Sequence, residues 1–587
     1  MLNLRPIDWI ILIAYFVVVA LIGFVASRLV RNREDFVMGG RRFGKLMTTF
    51  FSFGAGTHAD TATGVASQSY KVGFAGFWYQ GVMIFTLPIY WLLVPVFRRA
   101  RVQTTADLFE RRFGTGFMLV YALFALFLMV AFSSTGLYGT AKLIEALVTP
   151  QVGFLSEPTA VESLVYIEAN DPGLRSSSQL PMWQLAIPAI AIISFLYAIA
   201  GGLVAAVWND FLQGILTIVM SVLIIPFFWQ HVGGLQGFQA RLSNPDEVFR
   251  LVLEKDMTLF WITMVSINSL FSMVVQPHIM ANAGSAATEM DSRVGFVGGL
   301  ILKRLMTIPW ALTGVMAIAL FGRGTIAGDH AFGETAQALL PVGFVGLMIA
   351  CVMASVMDNL AVFMISFAGT YTNSIHLKIW PRTPERRLVL ITRIASLVFA
   401  LLVIPLSYAF TDIPSAMRFM FQTVPIMGLS FFMAVLWRRA NRYGALASFA
   451  AALLALVVAK YYFGWQGDSG LPSTIALYLG TGAFAGWLIT IMTPPENPLR
   501  TRRFFLLIRT PIGQEEALRT AGLIELAGTG TFIDPGTGTT TDVERAERSL
   551  DLARSRRESI HGFWWLTGIS LGLLAFVWLL SRWLARG

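Results

Sequence analysis

Apolar residues fill long stretches of this chain, and polar residues fall between them in short clusters. A bilayer crossing takes about 20 consecutive apolar residues. Stretches of that kind occur at 7–28, 45–70, 73–97, 116–148, 182–200, 204–230, 257–283, 294–322, 338–374, 388–410, 414–437, 442–463, 472–492 and 561–584. The pattern predicts an all-α integral membrane protein with about fourteen transmembrane helices. Several stretches exceed the bilayer thickness, so those helices must tilt, kink or protrude.

Composition agrees: 56% of the 587 residues are hydrophobic and 13% charged, against about 25% charged in soluble domains. The net charge of +10 raises nucleic acid as a partner. The basic residues instead occupy short connections: Arg28, Arg31, Arg33, Arg41, Arg42 and Lys45; Arg98, Arg99, Arg101, Arg111 and Arg112; Lys378, Arg382, Arg386 and Arg387; Arg438, Arg439 and Arg442. With fourteen crossings all these connections fall on one side. Positive charge marks that side as cytoplasmic, which puts both termini on the extracytoplasmic side of the plasma (inner) membrane. The opposite connections are longer and less basic, as in "SEPTAVESLVYIEANDPGLRSSSQ". The lipid bilayer is the expected partner, nucleic acid is not, and the chain is expected as a monomer or weak homo-oligomer. The single cysteine, Cys351, excludes an internal disulfide. The first apolar run is too long for a signal h-region, so no cleaved signal peptide is expected. Residues 493–559 are polar; their "GTGTFIDPGTGTTTD" lacks the Lys-Ser/Thr that grips phosphate, so a flexible cytoplasmic turn is expected. The divisions drawn are 1–44, 45–230, 257–437, 442–492, 493–559 and 560–587.

Charged groups at membrane depth usually face a protein interior or a water-filled path. The second stretch carries "GAGTHADT", with Gly54, Gly56, His58 and Asp60. Glycines permit an unwound segment whose carbonyls suit a hard cation. The alternative is close helix packing, with His58 and Asp60 satisfying each other. In the ninth stretch Cys351, Ala354, Ser355 and Asp358 recur at helical spacing. That stripe supplies oxygen ligands for sodium, a proton relay, or interhelical hydrogen bonds. In the seventh, Pro277 lies between Gln276 and His278 and must kink or break its helix. Two interrupted helices five apart are the mark of an inverted-repeat transporter.

The marks "DFVMGGRRFGKLMTTFFSFGAG…GVASQSY", "GGLVAAVWNDFLQ", "QPHIMANAGSAATEMDSRVG", "LILKRLMTIPWALTGV", "ACVMASVMDNL" and "WRRANRYGA" follow in order. With them the chain, from the first crossing to about residue 465, resembles the sodium:solute symporter family of sugar, proline, pantothenate and sialic acid carriers. The resemblance implies a leucine-transporter-like core of two inverted five-helix repeats, with extra N- and C-terminal helices and alternating access. It implies Na⁺ as coupling ion, with no organic cofactor, and a small polar solute as cargo. The sodium positions it implies are the carbonyls of Gly54 and Thr57, a carbonyl at Cys351, and hydroxyls at Ala354 and Ser355. Ala354 has no side-chain oxygen, and Asp358, one turn beyond Ser355, would stand in for it. Asp210 matches an aspartate tied to sodium exit or a second sodium site. For the solute, Asp60 and Thr61 match an acid–amide pair, and Tyr79 and Gln80 an aromatic–acid pair. Gln276, Lys303 and Gln422 match polar positions on the sixth, seventh and tenth core helices. His58 stands where the sugar carriers have a small hydroxyl residue, and Asn282 where an arginine is usual.

These features predict a sodium-coupled symporter importing a sugar, polyol or related solute, not an enzyme. Rivals are proton coupling through Asp60, His58 or Asp358, a sensor acting through 493–559, and a metal enzyme at "THAD", which has too few ligands.

Overall fold

The protein is described as a computed structural model covering residues 5–27, 43–54, 57, 59–102, 104–149, 181–526, 531–534 and 538–586. The expected loop at 156–179 and the residue His58 lie outside them, as do the side chains of Asp210, Ala354 and Asp358.

The chain opens with α1 (Pro6–Ser27). The 45–70 stretch forms two helices, α2 (Lys45–Gly54) and α3 (Ala59–Val72), with Thr57 outside both and Gly56 outside the described residues. Short helical turns from Phe74 lead into α4 (Leu87–Arg99), followed by the interfacial α5 (Thr105–Phe113) and the long α6 (Thr115–Val148). The two stretches expected at 182–200 and 204–230 are one helical element, α7 (Met182–Val232). Its 51 residues would run about 77 Å if straight, more than two hydrocarbon thicknesses.

The seventh stretch is α8 (Leu259–Met273) and α9 (Pro277–Gly284), bent by 61° where they meet. Pro277 has no N–H for the Met273 carbonyl, which accepts instead from the Gln276 N–H at 3.4 Å. Then come α10 (Glu289–Phe321), α11 (Ala331–Leu339), α12 (Phe344–Thr370) and α13 (Glu385–Ser407). They are followed by α14 (Ile413–Thr423), α15 (Gly428–Leu436), α16 (Arg442–Tyr461) and α17 (Gly467–Met492).

Among the described residues ten helices are long and apolar enough to cross a membrane, eleven if α8 and α9 count as one span. Among the described residues the shorter apolar helices Pro6–Val18, in α1, and Met182–Ser194, at the start of α7, come in addition, and α2 and α3 are separate elements.

Residues 493–559 carry secondary structure of their own. They contain α18 (Pro498–Arg509), α19 (Glu515–Thr520), an antiparallel pair β1 (Ile524–Leu526) and β2 (Thr531–Ile533), and α20 (Thr540–Ser549), before the last helix α21 (Ala553–Arg586). Leu506, Leu518, Leu523, Phe532 and Val543 close a small core there. Leu506 stands in the apolar run Phe504–Ile508, and the others are separated from it by polar sequence, so no local window displays the core as a whole. These elements form a small folded cap; residues 527–530 and 535–537 of the glycine-rich stretch expected as a flexible turn lie outside the described residues.

The cap is fastened to the arginine-rich end of the helices. Arg101 is buried; it donates to the carbonyls of Thr510 and Pro511 at 3.1 and 3.0 Å and to Glu515 at 2.9 Å. Glu289, at the start of α10, receives Arg99 Nη2 at 2.6 Å and the Ile512 N–H at 2.7 Å.

Candidate functional site

The break between α2 and α3 lies against the middle of α12. The Thr57 N–H donates to the Gly54 carbonyl at 2.9 Å, closing the last turn of α2. The Thr57 carbonyl, released from any helix, accepts the Ser355 hydroxyl at 3.1 Å. Asn359 Nδ2 donates to the Ser355 carbonyl at 2.8 Å, which holds this face of α12 in place. The Thr57 and Ser52 hydroxyls are buried without a partner among the described residues. Carbonyl and hydroxyl oxygens with unused lone pairs, gathered at an unwound helix, suit a hard monovalent cation. Cys351 is one turn before Ser355 on α12, and its thiol pairs with Thr217 Oγ1 of α7 at 3.7 Å. Asp210 belongs to α7, where the next residue, Phe211, packs on Phe50 of α2 with ring centroids 4.8 Å apart.

Asp60 is the second residue of α3. Its carboxylate stands in the first turn of the helix, where the helix dipole favours negative charge. Asp60 Oδ1 is buried and has no partner among the described residues. The backbone of Asp60 presses on Gly139 of α6, where a Cβ would stand 2.6 Å from Asp60 Cβ and 2.7 Å from its Cα. Only glycine admits that approach. Lys303 of α10 lies within electrostatic range of both Asp60 and His278. His278, in the first turn of α9, sits edge-on between Phe132 and Phe363, with Nδ1 buried and unpartnered among the described residues. Thr61 and Gln276 are buried nearby in sequence to Asp60 and His278, and Gln276 Nε2 reaches Ser272 Oγ at 3.5 Å.

Of the residues singled out from sequence, Gly54, Thr57 and Ser355 meet at the break, and Asp60 and Lys303 lie within electrostatic range of each other. Tyr79 and Gln80 have other commitments. The Tyr79 hydroxyl donates to Asp468 Oδ1 at 2.6 Å, and its ring stacks on Trp261 at 5.8 Å. Gln80 Oε1 accepts from Arg304 Nη1 at 3.0 Å. Gln422 is half-buried near the end of α14. Sequence reasoning passed over Arg304 and Arg418, although an arginine within an apolar run is itself a signal. It also passed over Asp468, which reads as an ordinary first-turn acid.

The match to the sodium:solute symporter family model covers residues 36–152 and 181–451. Among curated proteins, the sodium/myo-inositol cotransporter 2 of Rattus norvegicus is 22% identical across 94% of this chain and 87% of its own length. The sodium/proline symporter of Escherichia coli is 23% identical across 76% of this chain and 86% of its own. Among solved structures, a Na⁺-coupled sialic acid symporter in a substrate-bound outward-open state superposes with a TM-score of 0.69 at 15% identity. It covers 84% of this chain and 98% of its own. The interrupted helices α2/α3 and α8/α9 and the matched residues lead to one conclusion: this chain is an integral membrane protein of leucine-transporter-like fold, and it belongs to the sodium:solute symporter family.

Proposed function

We propose that this protein couples the downhill entry of sodium to the import of a small polar organic solute by alternating access. The observation that carries the reading is the Ser355 hydroxyl on the Thr57 carbonyl at 3.1 Å, across the break of the first core helix. A cation replacing that hydrogen bond ties α12 to the α2/α3 break. It changes the relative stability of the conformations in which Asp60 is open to one side or the other. Coupling is then the difference in affinity of each ligand for those conformations, and it is reciprocal.

In this reading Thr57, Ser355, the Gly54 and Cys351 carbonyls and Asp358 serve the ion, and Asp210 its exit. Asp60, Thr61, Gln276 and Lys303 serve the solute, whose hydroxyl or amide groups meet a carboxylate and an ammonium together. The arginine-rich end is cytoplasmic, so the membrane potential favours sodium entry by about 2.3 kcal/mol per charge per 100 mV.

Purified protein in proteoliposomes tests this. A screen of polyols, sugars and amino acids, with myo-inositol and proline as first trials, is run with inward gradients of sodium or of protons. At least one solute is expected to accumulate only with sodium. Accumulation that ignores sodium and collapses with a protonophore would instead assign the coupling to a proton, with Asp60 as its carrier.

A further inference from the structure

Asp468 belongs to α17, outside the two expected five-helix repeats, yet its carboxylate gathers three elements of the core. Tyr79 donates to its Oδ1 at 2.6 Å, and Gln68 Nε2 and Arg418 Nη1 each donate to its Oδ2 at 3.2 Å. Arg418 Nη1 also reaches the Tyr79 hydroxyl at 3.4 Å, and its Nη2 lies 3.9 Å from Asp412. Gln68 is on α3, eight residues beyond Asp60, or about 12 Å along the helix. Arg418 is on α14.

A second tie joins the same two helices. The Asp329 carboxylate accepts from Ser67 Oγ at 3.2 Å and from the N–H of Ile413, the first residue of α14, at 3.0 Å. One turn nearer Asp60, Gly64 of α3 abuts Met417 and Ile413 of α14. α3 is thus fastened to α14 beyond Asp60 twice, through Asp329 at the first residue of α14 and through Asp468 at Arg418, five residues further along it. Asp468 and Arg418 keep 12% and 20% side-chain exposure. Water reaches the pair, so it separates more readily than a buried one.

Building on the symport reading, we infer that Asp468 is a positioning residue of the transport cycle: it holds Tyr79, Gln68 and Arg418 in the closed arrangement, and solute entry requires Arg418 to leave it. This also accounts for Tyr79. Its hydroxyl serves the closure rather than the cargo while this end is shut.

The test uses the full-length chain in proteoliposomes with Cys351→Ser and a reporter Thr61→Cys. A membrane-impermeant cationic methanethiosulfonate reagent is added on the Asp468 side, in sodium chloride or choline chloride. Asp468→Asn, which keeps size and helix-capping ability, and Tyr79→Phe are each expected to raise the labelling rate in choline about tenfold, a shift of the population toward the open form. Asp468→Glu is expected to restore the parent rate. A role in capping α17 alone would leave labelling unchanged. The inference falls if the parent responds to sodium while both Asp468→Asn and Tyr79→Phe label within about twofold of it, which leaves the symport reading standing. If the parent rate ignores sodium, the symport reading falls first and this inference with it.

Discussion

Ser355 donates its hydroxyl hydrogen to the carbonyl of Thr57 at 3.1 Å, joining α12 to the break between α2 and α3 over a separation of 298 residues. The contact occupies a carbonyl oxygen that no helix uses, and it places a hydroxyl oxygen beside it.

Ser355→Ala removes that hydroxyl and leaves the Thr57 carbonyl without its donor. One hydrogen bond of this kind contributes about 1 kcal/mol. The sodium concentration giving half-maximal uptake should rise about fivefold or more, and the maximal rate at saturating sodium should fall less. Sodium-dependent uptake in proteoliposomes, fitted for both parameters, checks this; unchanged half-saturation would remove Ser355 from the ion's path.

Gly139→Ala places a methyl group 2.6 Å from Asp60 Cβ, at the backbone of the first turn of α3. Neither side can yield cheaply, and overpacking of this sort costs about 1–3 kcal/mol. The melting midpoint should drop by several degrees, and solute affinity should fall together with it. Asp60→Asn preserves the volume, so it should leave melting nearly unchanged while weakening solute binding about tenfold or more, the loss of a charge-assisted hydrogen bond. Melting curves and uptake on both variants separate packing from recognition.

His330 lies between two carboxylates outside the spanning segments, with Nε2 3.4 Å from Glu145 and Nδ1 3.7 Å from Glu334. Burial disfavours its charged form, but the neighbouring carboxylates of Glu145 and Glu334 outweigh burial and raise its pKa above the ordinary 6.5. Lys142, 3.1 Å from Glu145, competes for the same carboxylate. A raised histidine contributes stability that is complete below pH 6.5 and is lost as pH climbs through the raised value. The protein should therefore melt lower at pH 9 than at pH 6, and His330→Asn should reduce that difference. An equal slope in the variant would locate the pH dependence elsewhere.

Arg101 fastens the cap to the helices, and Arg101→Ala removes the donor to the carbonyls of Thr510 and Pro511 and leaves Glu515 the Gly513 N–H. Removing one partner of a buried ion pair costs about 3–5 kcal/mol, less here because Glu515 keeps 26% exposure. Limited proteolysis should cut between Ile508 and Glu515 faster in the variant. Equal cutting in both proteins would show that the cap stands without this anchor.

The sequence alone determined the membrane class, the approximate helices and the two places where helices break. Each depends on local chemistry: apolar length for a crossing, glycines at Gly54 and Gly56, and the missing N–H of Pro277. The order of motifs also carried the family. Tertiary structure decided the partners. The resemblance implied cargo roles for Tyr79 and Gln80, but no local window names their hydrogen-bond partners, Asp468 and Arg304, which lie 389 and 224 residues away. The cap at 498–549 was invisible because its core is assembled from apolar residues that polar sequence separates, and only folding brings them together. Local windows report what a segment is able to become; which oxygen meets which donor is fixed when distant helices pack.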